Sequence, residues 1–259
     1  MRMMKKVLGT VTVLALSVSL LAGCGSTAAS PVSSAASTAA ESTTSSIASE
    51  TTSAAADENE ATAAQLLNDL TGSYQELWPV ILADEYKQTW LDDCTALVGE
   101  DNAEAAFGKL SSMVTGDVYG EDAVKAYANG GGAYFCGFTN SLATLTFDGE
   151  TSTISGTDKD GNVLFSHTYH YIGMEPVRGL YEFESDDADS GEFTYFFLAP
   201  DTSAETYHIE FRYGSDAEAL SQYDAGEYAY WLASGISTDC DQTMIDNCIE
   251  LFCTENLAG

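Results

Sequence analysis

Residues 178–214 read RGLYEFESDDADSGEFTYFFLAPDTSAETYHIEFRYG and contain three segments in which apolar and polar side chains alternate over all or part of the segment. The segments are RGLYEFES (178–185), EFTYFFLA (192–199) and TYHIEFRYG (206–214), and residues typical of turns separate them. Alternation with a period of two is typical of a β-strand with one buried face, because successive side chains point to opposite sides. Three such segments in succession predict short antiparallel strands.

The same alternation extends upstream of these strands. Further strands are predicted at residues 134–138, 142–148, 151–157 and 162–173, after the three glycines at 130–132. The chain before those glycines shows apolar residues at helical spacing instead, and two more helices are predicted near the C-terminus, one around SDAEALSQY and one at 241–254. Short antiparallel strands at this spacing predict a meander that curls into a barrel or half-barrel.

The first 23 residues have the features of a lipoprotein signal peptide. Basic residues open the chain, an apolar run follows, and small residues lead to Cys24. The stretch LAGC resembles the lipobox of bacterial lipoproteins, in which the cysteine is lipidated and becomes the new N-terminus. An ordinary signal peptide followed by an unrelated cysteine is the alternative. No later apolar run is long enough to cross a bilayer, so a lipid anchor on the extracytoplasmic face of the cell membrane is the membrane contact that the sequence predicts.

Two regions follow the signal peptide. Residues 24–56 consist of the lipidated Cys24 and a stretch that is almost wholly Ser, Thr and Ala, which predicts a disordered tether because it offers little apolar surface to offset the entropy of ordering. Residues 57–259 contain no second linker of this kind. They are therefore predicted to form one domain.

The charge of the chain is strongly acidic. Removal of the signal peptide takes three of the nine basic residues, which leaves six against 40 acidic residues and a net charge of −34. Such a chain is repelled by nucleic acid and by anionic membrane surfaces, and it concentrates cations around itself. A solvated acidic surface without any such role is the simpler alternative.

The cysteines leave two arrangements open. The predicted domain has five of them: Cys94, Cys136, Cys240, Cys248 and Cys253. An odd number in an exported domain leaves at least one thiol unpaired. Either a disulfide joins Cys240 or Cys253 to Cys94 or Cys136, or all five are free thiols. Cys248 lies in the apolar stripe of the predicted terminal helix, which favours a buried position.

Most of residues 65–235 resemble the ZinT (YodA) family of zinc-binding, lipocalin-like proteins, which occur in the periplasm or fused to zinc-uptake lipoproteins. The resemblance is carried by LTGSYQELWPVILADEYKQTW, by VTGDVYGEDAVKAYANG and most specifically by the run from Gly179 to Gly214. It implies an α+β fold: an antiparallel lipocalin-like (calycin) β-barrel or half-barrel, preceded by a helical N-terminal segment and closed by a C-terminal helix. It also implies zinc as the ligand.

The family's metal ligands are only partly present. The resemblance implies a His-x-His pair on the strand TYHIEF, where spacing of two puts both imidazoles on one face. Here the second position is His208, but the first is Thr206. A third family histidine is expected within FFLAPDTSAE, which contains none. The other histidines, His167 and His170, are three residues apart and face opposite sides of an unbulged strand.

A metal site is therefore predicted from an altered set of ligands. It would combine His208, one of His167 and His170, and a carboxylate such as Glu210 or Glu182, since zinc accepts mixed nitrogen and oxygen ligands. The alternative for His208 is a hydrogen-bonded histidine that lines a polar pocket.

Two function hypotheses of different classes follow. The first is a cell-surface lipoprotein that binds zinc or another divalent cation for sequestration or for delivery to a metal-uptake transporter. The second is a metal-free lipocalin-like module that binds a small organic ligand or a partner protein in an aromatic cup. That cup would be lined by Tyr169, Tyr171, Tyr181, Phe183, Tyr195 and Phe197. The chain has no nucleophile elbow, H-E-x-x-H motif, P-loop or dinucleotide fingerprint, so no enzyme is predicted.

Overall fold

A computed structural model of the chain describes residues 59–199 and 208–258. The predicted signal peptide, the predicted tether with Cys24 and the first two residues of the predicted domain lie outside the described residues, as does Thr206. Within the described residues, no helix combines the length and apolar character needed to cross a membrane.

The secondary structure begins with helices and continues with strands. The helices are α1 (residues 59–69), α2 (Leu77–Ile81), α3 (Lys87–Val98), α4 (Glu100–Val114), α5 (Glu121–Ala128), α6 (Ala217–Leu220) and α7 (Gln242–Leu257). The strands are β1 (Gly72–Glu76), β2 (Thr144–Asp148), β3 (Thr153–Thr157), β4 (Val163–Met174), β5 (Tyr181–Ser185), β6 (Tyr195–Leu198), β7 (His208–Gly214) and β8 (Ala233–Ser237). Short 3₁₀ helices lie at Asp84–Tyr86 and Gly191–Phe193.

These strands form a closed antiparallel barrel in the order β1 to β8. Each strand pairs with the next one along the chain, and β8 pairs with β1, with Ser237 opposite Tyr74. Closure leaves no unpaired sheet edge within the barrel. The prediction of a lipocalin-like antiparallel barrel with a helical N-terminal segment and a C-terminal helix is confirmed, and the half-barrel alternative is wrong.

Three strand assignments differ from the sequence-based expectation. The predicted strand at 134–138 is wrong, because Phe135 makes only isolated bridges to Thr115 and Trp231 and the segment lies beside the barrel. β1 lies within the stretch for which apolar spacing predicts helices, and it is a strand of only five residues between two helices. β8, with the sequence ASGIS, has small residues and no aromatic side chain, so it lacks the alternation that marks the other strands.

Aromatic side chains fill the interior of the barrel. Phe196 of β6 lies 5.9 Å from Phe165 of β4 and 6.5 Å from Phe211 of β7, measured between ring centroids. All three are almost fully buried. Tyr195 and Phe197 were expected on the same inner face, but the pairing of Phe197 with Arg212 and of Phe196 with Tyr213 shows that they point outward. The interior is a packed core rather than an open aromatic cup.

Helices cover the barrel from two directions. Four residues of α1, Ala63, Leu66, Leu67 and Leu70, are buried in the same cluster as the interior aromatics. A second buried cluster joins α2, α3, α4 and α7 to the outer side of β8 through Ile236. Its members include Trp78, Trp90, Cys94, Cys248 and Cys253, so the expectation that Cys248 is buried is confirmed.

Candidate functional site

The outer face of β7 carries the polar residues that the sequence singled out. Ile209, Phe211 and Tyr213 belong to the cluster that fills the barrel, so the alternate residues, His208 and Glu210, point outward. His208 pairs with Ile236 of β8, which places it beside the helical layer. Both side chains are half-buried. Spacing of two on one face puts the imidazole and the carboxylate side by side.

Arg212 continues the same outward row but has a structural environment. Its side chain is fully buried, and its guanidinium donates to the carbonyl oxygens of Leu220 and Tyr228 and, at 3.4 Å, to that of Gln222. The guanidinium carbon also lies 4.3 Å from the centre of the Tyr223 ring. Burial lowers the pKa of Arg212. The segment between β7 and β8, residues 215–232, therefore packs against the outer face of β7, where Arg212 holds it through hydrogen bonds to its carbonyl groups.

Arg178 stacks on the same tyrosine. Its guanidinium carbon is 4.5 Å from the centre of the Tyr223 ring, and Nη2 donates to the Tyr134 hydroxyl at 3.3 Å. The buried Glu175 accepts the backbone N–H of Arg178 and the Tyr223 hydroxyl proton. Both arginines of the described residues thus meet at one ring. This cluster could not be predicted from the sequence, because the alternation in β7 by itself predicts that Arg212 lies on a solvent-exposed face of the strand.

The two histidines of β4 point to opposite sides of the barrel wall. His167 faces inward with Phe165, and its Nδ1 lies 2.7 Å from Oδ2 of Asp187. His170 faces outward, about half exposed, with Nδ1 2.8 Å from Oδ1 of Asp186. An ionised carboxylate only accepts hydrogen bonds, so in each pair the imidazole Nδ1–H is the donor. The prediction that these histidines face opposite sides is confirmed.

Glu182 of β5 lies apart from the histidines. It points outward, and burial raises its pKa, with a smaller contribution from the carboxylate of Glu175. Its cross-strand neighbour on β6 is Phe197, and Arg212 is the next residue across on β7. Glu182 therefore belongs to the outer surface around Glu175 and Arg212.

The five predicted ligands do not converge on one point. His170 and His208 both face outward, but β5 and β6 separate their strands, a distance of about 14 Å at the usual strand spacing. Two imidazoles that share one zinc ion have nitrogens about 3 to 4 Å apart. In the part of the chain that the structure describes, no three His, Cys, Asp or Glu side chains are arranged to hold a metal ion. His208 and Glu210 are the predicted pair that one strand face brings together.

A separate cleft lies between the helical layer and the segment that follows α5. It encloses about 330 Å³. Its lining residues are Glu76, Trp78, Pro79, Leu82, Val114, Thr115, Gly116, Phe135, Cys136 and Gly137. Most of them are apolar or contribute backbone, and Glu76 is the acidic residue in the lining. Sequence analysis missed this cleft because its residues come from distant parts of the chain.

The polar groups of the cleft have distinct environments. Oε1 of Glu76 accepts the backbone N–H of Phe138 at 2.6 Å, which fixes the carboxylate at the cleft wall. The indole nitrogen of Trp78 is buried and makes no hydrogen bond of normal length to a described residue. Burial raises the pKa of the Cys136 thiol to about 12, and the carboxylate of Glu210 adds to the rise. Cys136 is therefore a protonated, unreactive thiol at neutral pH.

Comparison with known proteins gives structural similarities only. No protein-family model matches this sequence, and no curated protein matches it. The crystal structure of the Zn(II)-bound ZinT-like domain of Streptococcus pneumoniae AdcA is similar, with 15% sequence identity and a TM-score of 0.44, over 70% of this chain and 87% of that domain. Zn(II)-bound AdcA from Streptococcus pneumoniae is similar with 15% identity and a TM-score of 0.41, over 74% of this chain and 35% of the AdcA chain. In both cases the zinc ion belongs to the protein compared.

Proposed function

We propose that this chain is a lipoprotein, anchored through Cys24 on the extracytoplasmic face of the cell membrane, whose barrel domain binds zinc or another divalent cation. The cation would be sequestered or delivered to a metal-uptake transporter. The observation that supports this proposal is the side-by-side position of His208 and Glu210 on the outer face of β7. An imidazole nitrogen and a carboxylate oxygen are ligands that zinc accepts together.

Two protein ligands predict a weak, exchangeable site. Structural zinc sites use four protein ligands and catalytic sites three, so a His–Glu pair leaves two or more positions to water. The net charge, −31 for the whole chain and −34 once the predicted signal peptide is removed, raises the local concentration of cations and compensates in part for the missing ligands. Weak binding suits a protein that must release its ion to a transporter.

Calorimetric titration of the chelator-free protein with Zn²⁺ tests the proposal. His208→Ala and Glu210→Gln are each expected to weaken binding roughly tenfold or more, because each removes one of two ligands. His170→Ala is the matched control, since it removes an outward imidazole with an aspartate partner and is expected to leave the affinity unchanged. A parent protein that binds no zinc, or an affinity that falls with His170→Ala and not with His208→Ala, would overturn the proposal.

The anchor is tested separately. Cys24→Ala is expected to move the protein from the membrane fraction to the medium or the soluble extracytoplasmic fraction, because the lipid is the predicted membrane contact. Retention of Cys24→Ala in the membrane fraction would reject the anchor and leave the metal proposal untouched.

The cleft favours a second function, the binding of a small organic ligand outside the barrel. The volume of the cleft lies at the lower end of the range for small-molecule sites. Its apolar lining with one fixed carboxylate fits a ligand that has an apolar part and a cationic group. The residues Trp78 and Phe135 add aromatic faces, which attract organic cations. The ligand class is therefore an aryl- or alkylamine.

Tryptophan fluorescence measures this second function directly. Phenethylamine is expected to change the emission of the protein more strongly than 3-phenylpropionate, which has the same apolar body and an anionic head. Glu76→Gln is expected to remove that preference, and Trp78→Phe to remove the signal. Equal responses to the amine and the acid would exclude Glu76 as the group that recognises the ligand.

A further inference from the structure

Two cysteines from distant parts of the chain meet in the helical layer. The Sγ atoms of Cys94 in α3 and Cys253 in α7 are 3.9 Å apart, and both side chains are fully buried. α3 packs along α7, so the contact joins the C-terminal helix to the middle of the helical layer. The two residues are 159 positions apart in the sequence.

The remaining cysteines of the described residues have other surroundings. Cys136 lies in the cleft wall, where its thiol faces the carbonyl of Tyr134 at 3.9 Å. Cys248 is buried in the helical cluster, where burial raises its pKa and the carboxylate of Glu210 contributes to the rise. Cys240 precedes α7 and is partly exposed. The sulfur contact therefore selects one pair from the combinations that the sequence leaves open.

We propose that Cys94 and Cys253 are a modification site at which a disulfide forms when the chain meets an oxidising thiol–disulfide environment. A disulfide has a sulfur–sulfur distance of about 2.05 Å, so the two sulfurs, 3.9 Å apart, must approach by about 1.9 Å for the bond to form. The proposal rests on the sulfur contact and is independent of metal or amine binding. It leaves Cys136, Cys240 and Cys248 as thiols, in agreement with the odd number of cysteines.

The oxidant is a low-molecular-weight disulfide or the disulfide of a thiol oxidoreductase. One cysteine thiolate attacks a sulfur of the oxidant, which gives a mixed disulfide and releases one thiolate. The second cysteine thiolate attacks the protein sulfur of the mixed disulfide, which closes the Cys94–Cys253 bond and releases the second thiolate. Two cysteine protons are lost, and two electrons reduce the oxidant to two thiols.

Burial makes this reaction slow in the folded domain. It raises the pKa of both thiols, and the nearby Asp93 carboxylate contributes in both cases. Little thiolate is present at neutral pH, and neither sulfur is accessible to an oxidant. Cys253 lies close to the end of α7 at Leu257, so local opening of the last turns of this helix uncovers it. Oxidation is therefore expected during folding, before α7 packs, or slowly afterwards through opening of α7.

Peptide mapping of the unmodified chain tests the proposal without any variant. The protein is unfolded and refolded in a glutathione redox buffer, quenched with acid, denatured without reductant, alkylated and digested. The expected result is a cross-linked pair of peptides that contain Cys94 and Cys253, with Cys136, Cys240 and Cys248 alkylated. Complete alkylation of Cys94 and Cys253 after refolding in the oxidising buffer would overturn the proposal, as would a disulfide between either of them and another cysteine.

Thermal unfolding gives a second, independent readout. Reductant is expected to lower the melting temperature of the oxidised protein by on the order of 5 to 15 °C, because the bond closes a long loop in the unfolded chain. Cys253→Ala is expected to abolish the effect of reductant, whereas Cys248→Ala, a buried cysteine of the same helix, is expected to keep it. If the melting temperature of the oxidised parent is insensitive to reductant, the disulfide does not fasten α7 and the proposal fails.

Discussion

Replacement of Arg212 by methionine tests what holds the chain between β7 and β8 in place. Methionine keeps an unbranched apolar stem but is shorter and uncharged, so it removes the hydrogen bonds to the carbonyls of Leu220, Gln222 and Tyr228. Hydrogen bonds from a charged donor contribute about 1.5 to 3 kcal/mol each, and the buried carbonyls left behind lose their partner. Against this stands the cost of burying a charge, which the lowered pKa of Arg212 reflects. The three carbonyls left without a partner cost about 1 to 3 kcal/mol each, and the relief of the buried charge offsets part of this, so the net loss is expected to be about 3 to 5 kcal/mol.

Urea unfolding followed by circular dichroism measures this loss. With an m-value of about 3 kcal/mol per molar urea, the midpoint is expected to fall by about 1 to 1.7 M. Arg178→Met is the matched control, because Arg178 stacks on the same Tyr223 ring but is half-exposed and makes one long side-chain hydrogen bond. It is expected to lose less than about 1 kcal/mol.

The location of the effect is a second criterion. If Arg212 fastens the segment to β7, limited proteolysis of Arg212→Met is expected to cut first within residues 215–232. Equal midpoints for the two variants, or a first cut elsewhere, would refute the role given to Arg212.

Three further predictions concern single residues. Burial raises the pKa of Asp93, and the carboxylates of α7 contribute to the rise. The folded state therefore binds the Asp93 proton more tightly than the unfolded state does. As a result, the stability of the domain falls as the pH rises through the pKa of Asp93 in the folded state. Asp93→Asn is therefore expected to raise the melting temperature at pH 7 and to flatten its fall as the pH rises above about 4, whereas Asp92→Asn, an exposed residue that contributes least to the rise of the Asp93 pKa, is expected to change both much less. Gly156→Ala would place a Cβ 2.4 Å from the Phe165 ring inside the barrel and is expected to cost about 1 to 3 kcal/mol in urea unfolding. Gly108→Ala, in the exposed interior of α4 with no atom within 4 Å of the new Cβ, is expected to stabilise by about 0.5 to 1 kcal/mol in the same assay.

The strands that could be predicted from the sequence are those whose own residues show a strand pattern. β4, β5 and β7 alternate apolar and polar residues because one face of each strand is buried in the barrel, and this pattern can be read within each strand, whereas the short β6 is an apolar run. β1 and β8 close the barrel, but their burial comes from the helices and from partners far along the chain. A five-residue strand of small residues has no local signal that separates it from a loop.

The sequence predicts on which face of its strand each candidate ligand lies, but it does not predict the distances between ligands on different strands. Alternation placed His208 and Glu210 on one side of β7 and His167 and His170 on opposite sides of β4, as the structure shows. Which of these faces meet depends on the number of strands between them, and this follows only from the order of the barrel. The burial of Arg212 depends likewise on the chain after β7 folding back, which no period in the sequence encodes.

The position of α1 determines how the domain responds to a pulling force. α1 is the first described element, and only two residues separate its end from β1, so tension applied from the N-terminal side of the chain enters the barrel through this helix. Its apolar side chains, Ala63, Leu66, Leu67 and Leu70, detach one turn after another, which requires less force than breaking many contacts at once. The next element in line is β1, whose hydrogen bonds to β2 and β8 close the barrel. Tension from that side would therefore detach α1 first and open the barrel only at higher force.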